Sequence, residues 1–559
     1  MKPEQPLIGQ KNFFRFDFWH GVTIFALALA VLFLIYPYAG MFFRSFTSGR
    51  TGEPSLENYR RFFTFAYYYM PLFRSLRVSF SATFLAVLLG VPMAYVFSRY
   101  NIAGKKLLKI LIVISLLSPP FIGAYSWIIL LGRNGYITRF ILEVFDFRIP
   151  SILGFNGLLL VFTLRFFPFV FLFVSGALGS IDSSLEEAAE NLGVRGLRKL
   201  FTITFPLILP TISAGAVMVF MTSLADLGTP LLIGEGFKVL PVLIYEEFLG
   251  EVGVNPAMAS ALSVIIVSLS LSILLLQKFV ISKRNYAMSS LRPPVVKELR
   301  LPKRIILTIS CYLIGLFAIL PQITIIIMSF RRTRGPLFVR GFSLDSYRNV
   351  WFQLSGNISR TFLYGLIAII IMIILGMLVS YLIVRRPSRV TSLIDSLYMS
   401  PYVIPGAVVG ILLVMAFNQY PIRLTGTGTI IVIAYVMRRL PHILRSSTAI
   451  LYQLDPAVEE ASINLGVPPL KTFFKITAVM MAPGVISGAI LSWIAAINEL
   501  SATIILFTGW TSTIPIAIYT EILRDSSGTA AALATILIFA TVLSLLIFNR
   551  FTKGKGSVV

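Results

Sequence analysis

DSSLEEAAENLG at residues 182–193 and DPAVEEASINLG at residues 455–466 align as one repeated twelve-residue segment, without a gap, at an offset of 273. That offset persists outward from the pair. It aligns Phe201 with Phe474, Ile203-Thr204 with Ile476-Thr477, Pro210 with Pro483 and Gly215 with Gly488. Earlier pieces match at slightly different spacing: Ser118-Pro119 echoes Ser400-Pro401, and Ser45-Phe46 echoes Ser329-Phe330. Drift of that size is what loops of unequal length produce. The chain is therefore a tandem duplication, and both copies share one polarity because their parts come in the same order with an even number of spans between them.

Each quoted segment is polar and surrounded by apolar runs. Of the 559 residues 57% are hydrophobic and only 13% charged, and the mean hydropathy is +0.85. Soluble domains carry about 25% charged residues, so this chain could not cover its apolar surface in water. Crossing ~30 Å of hydrocarbon as a helix takes about 20 residues. Spans are expected near 20–44, 72–98, 107–132, 152–178, 206–226 and 257–281. A second set is expected near 305–329, 359–384, 394–417, 425–447, 479–499 and 529–549. The predicted fold is an all-α integral membrane protein of about twelve transmembrane helices. Residues 1–282 and 305–559 form two six-helix domains, and a basic, proline-broken linker, 283–304, joins them.

The net charge of +24 lies in short clusters between the apolar runs. That is the pattern of the positive-inside rule, not the aromatic-interleaved basic stripe of a nucleic-acid binder. Arg99 to Lys109, Arg195 to Lys199, the linker, Arg385 to Arg389, Arg438 to Arg445 and the tail from Arg550 are assigned to the cytoplasm, with both termini. The loop after the fifth span, carrying Glu235, Glu246, Glu247 and Glu251, is then external. The external loops holding Arg60-Arg61 and Arg331 to Arg340 are basic as well and run against this trend. The run from Val22 to Phe43 lacks a clean cleavage site, and is expected to be an uncleaved first span. One cysteine, Cys311, and two histidines, His20 and His442, provide neither a disulfide framework nor metal-ligand spacing. No catalytic constellation and no resident metal are predicted.

The duplicated segments lie between the fourth and fifth spans of each copy. Asp182 and Asp455 are placed as N-caps, and Pro456 suits a first helical turn. Glu186-Glu187 and Glu459-Glu460 fall where the helix dipole favours negative charge. Gly193 and Gly466 permit a sharp turn into a second amphipathic stretch. An interfacial helix-turn-helix that merely seals a loop would not need to recur with identical residues around the glycine. A short helix presented twice suits two sockets for one soluble partner used twice.

These residues resemble the E-A-A, three residues, G, nine residues, I-x-L-P signature of permease subunits of binding-protein-dependent ABC importers. Glu187-Ala188-Ala189, Gly193, Ile203 and Phe205-Pro206 carry it in the first copy. Glu460-Ala461-Ser462, Gly466 and Ile476 carry it in the second, where Ala478-Val479 replaces the final L-P. The resemblance spans nearly the whole chain and implies a type I ABC importer fold with two permease domains fused. It implies that the segment, including Glu186 and Glu459, is a coupling helix docking on an ATP-binding subunit. Two copies of that subunit and a periplasmic or lipid-anchored solute-binding protein follow as partners, in a bacterial inner membrane. No Walker A sequence occurs, so ATP would be used by the partner, and no cofactor or enzyme activity is expected in this chain.

Fusion of this kind resembles the iron(III)-type permeases. So do Asp226-Leu227-Gly228-Thr229-Pro230 and its counterpart Glu499-Leu500-Ser501-Ala502-Thr503. Ferric iron is the implied solute. Thiamine, phosphonates, polyamines or sulfate are the alternatives within the class, and an ion-coupled secondary transporter is the alternative outside it. Asp226 and Glu499, 273 apart, close the fifth span of each copy. Carboxylates at such a place either line the translocation pathway or are helix-end residues held by a local hydrogen bond.

Overall fold

The computed structural model describes residues 17–49, 51–117, 119–250, 254–282, 296–335 and 337–551. The predicted linker residues 283–295, Glu251 and Ser118 lie outside the described residues. In the first copy the main helices are α1 (Phe18–Ser45), α2 (Ala66–Arg99), α3 (Lys105–Leu117), α4 (Pro120–Leu131) and α5 (Phe155–Gly179). They are followed by α6 (Ser183–Asn191), α7 (Phe205–Ala225), α8 (Gly228–Ile233), α9 (Leu240–Leu249) and α10 (Pro256–Ser282). The second copy repeats the order as α11 (Leu301–Ser329), α12 (Asp345–Arg385), α13 (Arg389–Met399), α14 (Gly406–Ala416) and α15 (Gly428–Gln453). It ends with α16 (Ala457–Asn464), α17 (Ala478–Ile497), α18 (Thr503–Leu506), α19 (Ile514–Leu523) and α20 (Ser527–Phe551).

Every expected span coincides with a helix, but the spans are not uniform rods. Among the described residues nine helices are long and apolar enough to cross a membrane, or eleven if two bent pairs count as one span each. Those pairs are the third spans. The first copy bends by 100° between Leu116 and Phe121, at Pro119-Pro120, and the second by 113° between Tyr402 and Gly406, where Pro405 intervenes. Proline removes a helix donor and crowds the preceding turn. The expected span left out of that count, 425–447, is α15, whose apolar run, though not its helix, is broken by Arg438 and Arg439. The expectation that these two belong to a cytoplasmic charge cluster is corrected here: α15 runs on to Gln453, and the pair lies mid-helix.

Small residues set the packing within each copy, as expected where lipid supplies no hydrophobic contrast between helices. A Cβ at Gly90 of α2 would lie 2.8 Å from Val170 of α5, and one at Gly376 of α12 would lie 2.6 Å from Ile443 of α15. Gly488 on α17 meets the Ile443 backbone at 2.8 Å in the same sense.

The first helix of each copy packs on the other copy. Trp19 of α1 stacks on Tyr381 at 4.2 Å and meets Phe473 edge-on at 5.0 Å. Tyr398 donates to Ala26 O at 3.0 Å, and Arg386 pairs with Asp17 at 2.8 Å. Reciprocally, Tyr312 of α11 donates to Gly104 O at 2.9 Å, and Phe317 packs on Trp127 at 5.1 Å.

The segment after the fifth span differs from the expected external loop. It contains α8 and α9 in the first copy and α18 and α19 in the second. Leu240, Leu243 and Ile244 are fully buried, and even Glu247 is largely so. Among the described residues the chain also forms a two-stranded antiparallel hairpin, β1 (Arg331–Arg334) with β2 (Leu337–Phe342).

Candidate functional site

Helix α6 begins where Asp182 accepts a hydrogen bond from Ser184 N at 2.9 Å. Asp455 accepts from Ala457 N at the same distance ahead of α16. Both helices end on a left-handed glycine, Gly193 at φ 83° and Gly466 at φ 84°. In each, the residue after the glycine donates back across the turn: Val194 to Ala189 O at 2.9 Å and Val467 to Ser462 O at 3.2 Å. This is a helix-terminating motif that needs a residue without a Cβ. Among the described residues, chain neighbours aside, no heavy atom lies within 4 Å of a Cβ at either glycine, so both turns face open space.

The predicted residues divide by face, in the same way in both copies. Glu187 and Ala188, like Glu460 and Ala461, are exposed, whereas Ala189 and Ser462 are buried. Glu186 and Glu459 turn inward to arginines that end the second span. Arg99 Nη2 lies 2.6 Å from Glu186, and Arg385 Nε lies 3.0 Å from Glu459. The first copy adds Lys199, 3.6 Å from Glu186 and 2.7 Å from Glu190. Lys297, just before α11, reaches Glu190 at 3.4 Å. Together Lys199 and Lys297 hold the Glu190 carboxyl below its ordinary value. Thr472 occupies the place of Lys199 in the second copy, and shares a 2.9 Å hydrogen bond with Ser462.

Sequence reasoning missed the leucine before each glycine. Leu192 is 84% exposed and Leu465 85%. They project beside the exposed Glu187-Ala188 and Glu460-Ala461 faces, and their repetition at the same offset was the available signal.

The second predicted pair, Asp226 and Glu499, is buried at 8% and 3% exposure. Asp226 accepts from Gly228 N at 3.2 Å and from Thr229 Oγ1 at 2.6 Å. Glu499 is gripped by both Arg438 and Arg439, and accepts from Ala502 N at 3.2 Å. The position equivalent to Arg438 is Arg165 on α5. Each of these arginines is ten residues into its helix, about 15 Å along the axis at ~1.5 Å per residue. They stand midway across the bundle, not at its surface. The arginines were also missed, although Arg165-Phe-Phe-Pro168 and Arg438-Arg-Leu-Pro441 share the 273 offset.

A duplicated helical bundle with a short, glycine-terminated helix on each copy and a charged centre between them fits a membrane permease of two fused, equivalent units. Residues 86–286 and 372–555 both match the family described as the binding-protein-dependent transport system inner membrane component, and the chain belongs to that family. It is 30% identical to a ferric transport system permease protein of Actinobacillus pleuropneumoniae, over 95% of this chain and 77% of the relative. A putative ferric transport system permease protein of Haemophilus influenzae is 30% identical over 86% of this chain and 77% of its own length. A molybdenum transport system permease protein of the same organism is 32% identical, covering 38% of this chain but 91% of itself. Less than half of this chain thus matches nearly the whole of that permease.

Proposed function

We propose that this chain is the membrane-spanning permease of an ATP-driven importer for ferric iron. A solute-binding protein outside the cell would deliver the iron. The domains 1–282 and 305–559 form the two walls of the pathway, with Asp226 and Glu499 on the seam between them. Two copies of a separate ATP-binding subunit dock on α6 and α16, and both termini lie on that cytoplasmic side. The observation that carries this reading is the pair of equivalent sockets, each presenting an exposed leucine beside a short helix tied by an ion pair to the second span. Movement imposed on α6 or α16 is transmitted through Arg99 or Arg385 to a helix that lines its copy, so two states of the partner bias two states of the bundle. The names of the relatives matched over most of the chain support iron as the solute.

The test is uptake of radiolabelled ferric iron by cells that carry the chain with its ATP-binding subunit and binding protein. A strain with Leu192→Asp and Leu465→Asp serves as the comparison. The double variant is expected to insert normally, to lose co-purification of the ATP-binding subunit, and to take up no iron. Undiminished co-purification would remove the socket assignment. Iron uptake that survives ATP depletion but stops when the ion gradient collapses would replace the importer by an ion-coupled carrier.

A further inference from the structure

The two halves of the buried centre are built from equivalent residues but are not equally satisfied. In the second copy Glu499 is shared by two guanidinium groups. In the first copy Phe166 stands where the second copy has Arg439, and aspartate stands in place of glutamate. Asp226 is one methylene shorter, and its oxygens are taken by Gly228 and Thr229. Arg165 makes no ion pair among the described residues, and its Nε and Nη1 are buried without any hydrogen-bond partner. Arg439 Nε is unpartnered as well.

These groups belong to one cluster that crosses the seam. Arg165 interacts electrostatically with Asp226 and with Arg439 of the other copy, and Arg438 interacts with Asp226. The two copies touch there too: a Cβ at Gly228 would lie 2.9 Å from the side chain of Leu500. Arg165, Arg438 and Arg439 against Asp226 and Glu499 leave a single net positive charge. Buried donors without an acceptor are costly, and a planar guanidinium held in place suits bidentate recognition of a carboxylate or phosphate.

We infer that the seam between the copies is an oxyanion-binding site centred on Arg165, and that iron crosses it as a complex carrying a phosphate or carboxylate ligand. The second clause rests on the proposed ferric cargo. A bare trivalent cation would meet a centre of like net charge whose carboxylate oxygens are already occupied. An iron complex with oxygen-donor anions presents the acceptors that Arg165 lacks.

The test has two readouts. Equilibrium dialysis measures binding of labelled orthophosphate and labelled citrate to the purified full-length chain with its ATP-binding subunit, at constant ionic strength. Arg165→Gln is expected to weaken binding about ten- to hundredfold, the usual weight of a charge-assisted hydrogen bond. Asp226→Asn raises the net charge of the cluster by one and is expected to tighten binding, which mere misfolding would not do. No saturable binding of either anion, or binding indifferent to both substitutions, would overturn the site. Which anion binds distinguishes the two chemistries. Uptake with iron and anion labelled separately then tests the cargo: anion accumulating alongside iron supports it, and iron entering without either anion refutes it. Absence of all iron uptake by the assembled wild-type system refutes the ferric reading instead, and the dialysis still decides the site.

Discussion

Replacing Arg385 by methionine should loosen α16 far more than the rest of the protein. Arg385 and Glu459 have side chains only 13% and 11% exposed, so this is not a surface pair of negligible weight. The guanidinium also donates to Leu454 O at 2.9 Å, while Tyr381 donates to the other Glu459 oxygen at 3.2 Å. Arg385→Met leaves a carboxylate with one neutral donor and a carbonyl with none. Removing one partner of a buried pair costs about 3–5 kcal/mol, and the residual exposure and Tyr381 place this case near 3 kcal/mol. At about 1.4 kcal/mol per decade that is roughly a hundredfold rise in local opening. Hydrogen exchange of the full-length chain in lipid nanodiscs reads it directly, through the peptides covering Ala457–Asn464. Arg99→Met on the first copy is the internal control. Lys199 remains 3.6 Å from Glu186 there, so α6 should loosen by only about tenfold, at the lower weight of a partly compensated pair. Exchange in α16 changing less than about threefold, or α6 loosening more than α16, would refute the reasoning.

Three further outcomes follow from the same geometry. Gly193→Ala and Gly466→Ala should each cost about 1–2 kcal/mol from backbone strain alone, since no atom lies within 4 Å to clash; a matching fall in protection of α6 or α16 checks it. Glu499→Gln strips the counter-charge from Arg438 and Arg439 and should destabilise by about 3–5 kcal/mol, seen as a sharp loss of monodisperse protein and a lower Tm; an unchanged Tm would mean that the pair is not a fixed contact. Glu190 has a lowered pKa, so its contribution is fully present above the ordinary carboxylate value near ~4.3 and is lost only as pH falls through its lower folded value. The stability difference between wild type and Glu190→Gln should therefore stay flat from about pH 5 to 7 and vanish in stronger acid.

The duplication, the spans and the two short capped helices were legible because each leaves a mark in local sequence. Apolar length announces a span, and a repeated Glu-Glu-Ala with a glycine announces a capped helix. Sequence treated Glu186 and Glu187 alike, whereas the helical turn sends the first to Arg99 and leaves the second exposed. Arg438 and Arg439 were assigned to a cytoplasmic cluster because two adjacent charges depress hydropathy whatever faces them, and their partner Glu499 is 60 residues away. Helices α8, α9, α18 and α19 are too short for periodicity to show, and acidic residues such as Glu247 gave their segment the look of a solvent loop. Contacts between copies, such as Trp19 on Tyr381, leave no trace in a single sequence.

That exchange of first helices sets a timetable for synthesis. The seat of α1 includes Tyr398, whose hydroxyl meets Ala26 across 372 residues of chain. At about 5–20 residues per second, α1 enters the membrane roughly 20–70 s before its seat exists. During that interval its apolar face rests in lipid, where it meets no water and waits at little cost. Trp19 acquires Tyr381 and Phe473 only as the second copy arrives, so this docking joins the first helix made to elements made much later in translation. A chain cut within 283–295 after assembly should therefore stay together, whereas the first copy made alone should hold α1 loosely and lack the cover that α11 gives to Trp127.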